Sequence, residues 1–106
     1  MVVAVGLIPA SASALQGVAP TTVTIKEKSG DFSGKVSSTD PSCRGERTVK
    51  VKLVQPGKDQ TVASDTSDSN GSWSTGNTDA DPGDYYAKVR KTLDCAKARS
   101  EVITVN

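Results

Sequence analysis

The side chains that could do chemistry in this sequence are few. There is no histidine among its 106 residues, and only two cysteines, Cys43 and Cys95. Without histidine, the Ser-His-Asp and Cys-His arrangements that activate a nucleophile cannot be built. Cys43 and Cys95 stand far apart and outside any CxxC motif. That spacing suits a disulfide in an exported small domain, with two buried free thiols as the alternative. On the chain-entropy account, closing such a loop stabilises the fold by about 4 kcal/mol. A paired-carboxylate hydrolase needs two acids facing each other across a cleft, and the acids here fall in turns. No GxxxxGK phosphate loop occurs. These absences predict a protein that is not an enzyme and needs no cofactor.

Oxygen-bearing side chains are plentiful, so a calcium site is the next chemistry to weigh. The stretch SDTSDSNGSWS, Ser64 to Ser74, has the middle of an EF-hand-type loop. Setting Gly71 at the glycine position places Asp68 and Asn70 as inner ligands. The two ends then fall on Thr66 and Asn77, where carboxylates are needed. Asn70-Gly71 fits a type I′ hairpin turn better, and a hairpin is the expectation. A second cluster, Asn77, Asp79 and Asp81, alternates oxygen ligands. It reads as a solvated loop running into a turn, or as a calcium site completed by Asp84 or Asp65.

Binding chemistry has better candidates: Trp73, Tyr86, Lys88 and Arg90. The chain has one Trp, one Phe and two Tyr, so Trp73 reads first as a core residue and second as a contact. Tyr86 shares its parity with Lys88 and Arg90 and should face outward. There it can stack on a sugar ring or cover the stems of its neighbours. Lys50, Lys52, Lys88, Arg90 and Lys91 fall on expected outer faces. Between Lys58 and Lys88 there is no basic residue but six Asp. Such a basic face can meet an anionic polymer, or merely keep a sheet soluble and its edges unpaired. A net charge of +1 predicts no strong pull toward nucleic acid or a membrane.

The elements that must position these residues are strands. Apolar residues alternate with polar ones around Val23 and Ile25, from Phe32 to Val36, through Val49, Val51 and Leu53, around Val62, from Gly71 to Thr75 with Trp73, through Tyr85, Ala87 and Val89, and at Ile103 and Val105. Asp40-Pro41, Gln55-Pro56-Gly57-Lys58, Asn70-Gly71 and Asp81-Pro82-Gly83-Asp84 punctuate these runs. The pattern predicts an all-β domain over residues 21–106: a seven-stranded antiparallel sandwich of two sheets, Ig-like or prealbumin-like, with one disulfide. Residues 15–20 read as a loose leader. Ahead of them, MVVAVGLIPASASAL pairs a short apolar run with small-x-small cleavage patterns. Residues 1–14 thus read as an export signal lacking its basic start, or else as an ordinary apolar strand. About 20 apolar residues are needed to span a bilayer, and this run falls far short.

Several of these runs together resemble a family. TSDSNGSWS followed by PGDYYAKV resembles the carboxypeptidase regulatory-like and collagen-adhesin B-type domains, which are similar to the prealbumin (transthyretin) sandwich. The likeness covers about residues 32 to 91. It includes the SGKV strand, the alternating RTVKVKLV, a D-x-x-G-x-W hairpin from Asp68 to Trp73, and a PG-x-Y-x-x-x-V strand at Pro82, Gly83, Tyr85 and Val89. The resemblance implies a binding, adhesion or spacer role in a secreted protein, not catalysis. Some collagen-adhesin-type domains carry a Lys–Asn isopeptide bond. Here Lys26 lies in the first strand and Asn106 ends the last, but the parity of Lys26 points it to solvent, away from the desolvation that would make it a nucleophile. The function expected is a secreted, non-catalytic binding or accessory module, with polysaccharide or a surface protein as its partner. The alternative is a spacer or assembly domain without a small-ligand site. Asn70-Gly71-Ser72 is a glycosylation sequon in a eukaryotic setting.

Overall fold

The computed structural model describes residues 18–106, so the export signal expected over residues 1–14 and the start of the loose leader lie outside the described residues. Among the described residues nine strands form two antiparallel sheets, with one short 3-10 turn at Pro41–Cys43. In chain order the strands are β1 (Thr21–Val23), β2 (Lys26–Lys28), β3 (Asp31–Ser38), β4 (Thr48–Leu53), β5 (Gln60–Thr66), β6 (Ser72–Asn77), β7 (Gly83–Val89), β8 (Ala98–Arg99) and β9 (Ile103–Val105). The all-β, two-sheet class is as expected. The strand number rises from seven to nine for two local reasons.

The first reason is a break. The expected strand through Val23 and Ile25 is divided into β1 and β2, which still pair with β3 in one continuous register, Thr21 opposite Ser38 and Lys28 opposite Asp31. At the break the Thr24 hydroxyl accepts the Lys35 N–H at 3.0 Å, in place of the Thr24 carbonyl. The second reason is β8. It holds two residues and shares one edge of β7 with β9. Between them Ser100 bulges, and its hydroxyl accepts the Ala87 N–H at 2.7 Å.

The larger sheet runs β9-β7-β4-β5, with β8 beside β9 on the β7 edge. The smaller places β3 between the β1–β2 hairpin arm and β6. Alternation puts Val49, Val51, Tyr85, Ala87 and Val89 on the inner face of the larger sheet, where they meet Val23, Ile25, Phe32, Val36 and Trp73 of the smaller. The Phe32 and Tyr85 rings pack at 4.8 Å between centroids. Fully burying a side chain of this kind stabilises the fold by roughly 1.5–3 kcal/mol, so this core carries most of the cohesion.

Two turns correct the reading of Asn70-Gly71. That segment does not close a hairpin, because β5 and β6 belong to different sheets and the turn hands the chain across the sandwich. Gly71 has φ +91°, whereas Asn70 is not among the residues with positive φ that a type I′ turn requires. Instead the Asp68 carboxylate accepts the N–H groups of Asn70 and Ser72, at 2.9 and 3.0 Å, and so sets the loop. The two positive φ values of a type I′ turn occur at Ser29 (52°) and Gly30 (85°), between β2 and β3.

The disulfide forms as expected, with the Cys43 and Cys95 Cα atoms 5.6 Å apart. Ala19, expected in a loose leader, is tied beside it. Its N–H donates to the Asp94 carbonyl, and its own carbonyl accepts the Ala96 N–H, both at 2.9 Å.

Candidate functional site: a basic face on the larger sheet

Three neighbouring strands of the larger sheet turn cations outward. On β4 the outward residues are Lys50 and Lys52, on β7 Lys88, with Arg90 just past its end, and on β8 Arg99. Pairing sets Lys88 directly opposite Lys50 on one side and opposite Arg99 on the other. Like charges directly opposed across strands destabilise a sheet, so this row is an arrangement that an anion would relieve. Around it lies a groove of about 400 Å³, lined by Thr48, Lys50, Lys52, Lys88 and Arg90, with Lys91 and Lys97 from the following loop. No carboxylate lines it. The Lys52 ammonium donates to the Thr61 hydroxyl, an adjacent-strand contact that leaves its other donors free.

Tyr86 has the outward direction expected of it but not the exposure. Only 5% of it meets solvent. The Arg99 guanidinium lies over its ring at 3.9 Å, and its hydroxyl donates to the Asp59 carboxylate at 2.6 Å. That bond is the main reason the Asp59 carboxyl is held below its ordinary value; the Gln55 N–H and the nearby Arg99 and Lys52 charges add to it. The same bond, then burial, pushes the Tyr86 phenol up. Tyr86 therefore cannot present its face to a sugar ring. It serves as the platform for Arg99, whose guanidinium lies over the ring.

The other candidates separate from this face. Trp73 is 3% exposed and belongs to the core, opposite Gly34 of β3. Its indole N–H is buried without a partner. Asn77 ends β6, and Asp79 and Asp81 follow it in the loop before β7. The Asn77 side-chain oxygen accepts the Asp79 N–H at 2.8 Å, and the Asp81 carbonyl accepts the Tyr85 hydroxyl at 2.6 Å. Asp84 and Asp65, which would have completed a calcium site, bond to the Thr104 hydroxyl and the Ser74 N–H. Among the described residues no three His, Cys, Asp or Glu side chains gather as a metal site would need. Lys26 is exposed, as its parity predicts.

Sequence reasoning missed Arg47. It is 3% exposed and sits against the disulfide. Its guanidinium donates to the carbonyls of Cys43 (2.8 Å), Ala96 (2.9 Å) and Arg90 (3.0 Å), and to the Thr21 hydroxyl (3.3 Å). Burial pushes its pKa down, but a guanidinium stays charged. A signal was present, since Arg47 has the inward parity of Val49 and Val51. A wider hollow of about 700 Å³ opens at this end beside Glu46 and Asp68. Arg47 lines it with its terminal nitrogens already committed to the protein's own oxygens.

No family model, no curated protein and no solved structure matches this chain.

Proposed function

We propose that the domain is a secreted, non-catalytic binding module of the carboxypeptidase regulatory-like kind, which holds an anionic polymer on the outer face of its larger sheet. The observation that carries this reading is the row of directly opposed cations, Lys50, Lys88 and Arg99, beside a groove without a carboxylate. An outward Lys scattered among acids would need no ligand; a like-charge row on the middle of a sheet gains from one. The Cys43–Cys95 disulfide supports an oxidising compartment. An aromatic sugar platform is not part of the reading, because Tyr86 is covered and Trp73 is internal.

The test is co-sedimentation of the oxidised domain with insoluble neutral and anionic polysaccharides and with bacterial cell walls, at low and high salt. Retention on anionic material at low salt, released by high salt and abolished by Lys50→Glu with Lys88→Glu, is the expected result. Retention on neutral polymers that survives both changes would contradict it. Retention on none would leave the spacer role as the better reading.

A further inference from the structure

The geometry points to one class of anionic polymer, a phosphodiester-linked polyol with a three-carbon repeat; this rests on the reading of the basic face just proposed. The inference comes from the spacing of the cations, not from their number alone. Antiparallel pairing sets them at successive levels along the strand axis. Arg90 stands two residues beyond Lys88, just past the end of β7. Lys50, Lys88 and Arg99 share the middle level. Lys52 stands two residues along β4 on the far side, opposite Tyr86, whose hydroxyl holds the Asp59 carboxylate at this end of the row. Same-face neighbours on one strand are about 6.7 Å apart, so a chain lying along the strands meets a cation at each such step.

A polyol phosphate with three carbons between phosphates has as many bonds from one phosphorus to the next as separate alternate Cα atoms of a strand. Its charges therefore recur about every 7 Å when extended, in step with the cations. A polyuronate carries its carboxylates on rings, and its repeat is not tied to this interval. The middle level gathers three cations and can take the central phosphate, with the Arg99 guanidinium held over the Tyr86 ring and able to offer two donors to its oxygens. A single-stranded nucleic acid has a similar backbone repeat. Its binding proteins stack bases on open aromatic rings, however, and the aromatic residue on this face is covered by Arg99.

The experiment measures affinity of the oxidised full domain for three probes over a series of salt concentrations: poly(glycerol phosphate), polygalacturonate and oligo-dT. Neutralising three phosphates predicts a slope of log K against log salt of about −2 for poly(glycerol phosphate). Binding about ten-fold tighter than to polygalacturonate at equal ionic strength is expected. Arg90→Gln and Lys52→Gln, at the two ends of the row, should each reduce the slope by about 0.7. Both sites are on the surface, and circular dichroism confirms that each variant is folded. Equal affinity for polygalacturonate would overturn the phosphodiester inference while leaving the anionic-polymer reading in place. Oligo-dT binding as tight or tighter would overturn it in favour of nucleic acid. Failure to bind any of the three would overturn both.

Discussion

Tyr86 shows how far a single residue can be read from sequence. Parity gave its direction correctly, because successive strand side chains alternate between faces. Parity is silent on what lies above a face, and Arg99 arrives there from a two-residue strand too short to show alternation. The Tyr86–Asp59 bond has a pH signature that can be checked. Asp59 is held below its ordinary value, so its contribution is present above the unfolded carboxylate value and is lost as pH falls through the folded one. Tyr86 is raised, so its contribution is present below the unfolded phenol value and is lost as pH rises through the folded one. Tyr85, raised chiefly by burial, adds to the alkaline loss. Tyr86→Phe removes the bond and one ionising phenol. Its stability at neutral pH should fall, and its stability-against-pH curve should be flatter both below about pH 4 and above about pH 10. Denaturant unfolding across pH gives the comparison. Limbs as steep as those of the parent would show that the bond is not formed in solution.

At the scale of elements, the strands with clean alternation were legible and the connections were not. Val49, Val51, Ala87 and Val89 could be assigned to the core from their spacing alone, and all are buried. Arg47 breaks the same pattern in the informative direction, a charged residue at an inward position. It was passed over because a buried guanidinium needs carbonyl partners that only the folded loops supply. Asn70-Gly71 was legible as a turn but not as a crossing between sheets. Local turn chemistry does not say which strand comes to lie beside which. The fold does fix the glycine there. At Gly71 a Cβ would overlap the Val36 carbonyl oxygen, and φ is +91°. The Val36 N–H also donates to the Gly71 carbonyl at 2.7 Å, so the two backbones cannot move apart cheaply. Gly71→Ala should cost at least about 2 kcal/mol, part of it backbone strain. Gly76→Ala shares a positive φ, of +74°, but has open space around its Cα. It should cost only about 1 kcal/mol, the strain alone. Chemical denaturation of the two variants separates crowding from conformation; equal losses would mean that the β3 backbone yields.

The whole molecule is held by its core in the middle and by a different device at one end. The chain segments around Thr21, Cys43, Arg90 and Ala96 have few apolar residues to pack, yet they converge on one guanidinium and one disulfide. The disulfide closes a separation of 52 residues, and its removal by Cys43→Ser with Cys95→Ser should cost about 4 kcal/mol. Arg47→Met leaves the buried Cys43 carbonyl and the part-buried Arg90 and Ala96 carbonyls without their charged donor and should cost about 3 kcal/mol. Either loss is a large fraction of the roughly 5–15 kcal/mol that holds a domain together. The two devices fix the same segments, so they should not act independently. Once the disulfide is gone, the loops around Cys43 and Ala96 are free to find water for their carbonyls, and losing Arg47 matters less. A double-mutant cycle in guanidinium chloride measures this, with Arg47→Lys as the milder variant that keeps the doubly altered protein folded. An ammonium cannot reproduce the fork that reaches Cys43, Arg90 and Ala96 together, so Arg47→Lys is itself destabilising. The combined loss should fall short of the sum of the single losses by more than about 0.5 kcal/mol, the scatter expected of uncoupled sites. Losses that add within that scatter would mean that Arg47 and the disulfide stabilise separate parts of the fold, and that this end is not one unit.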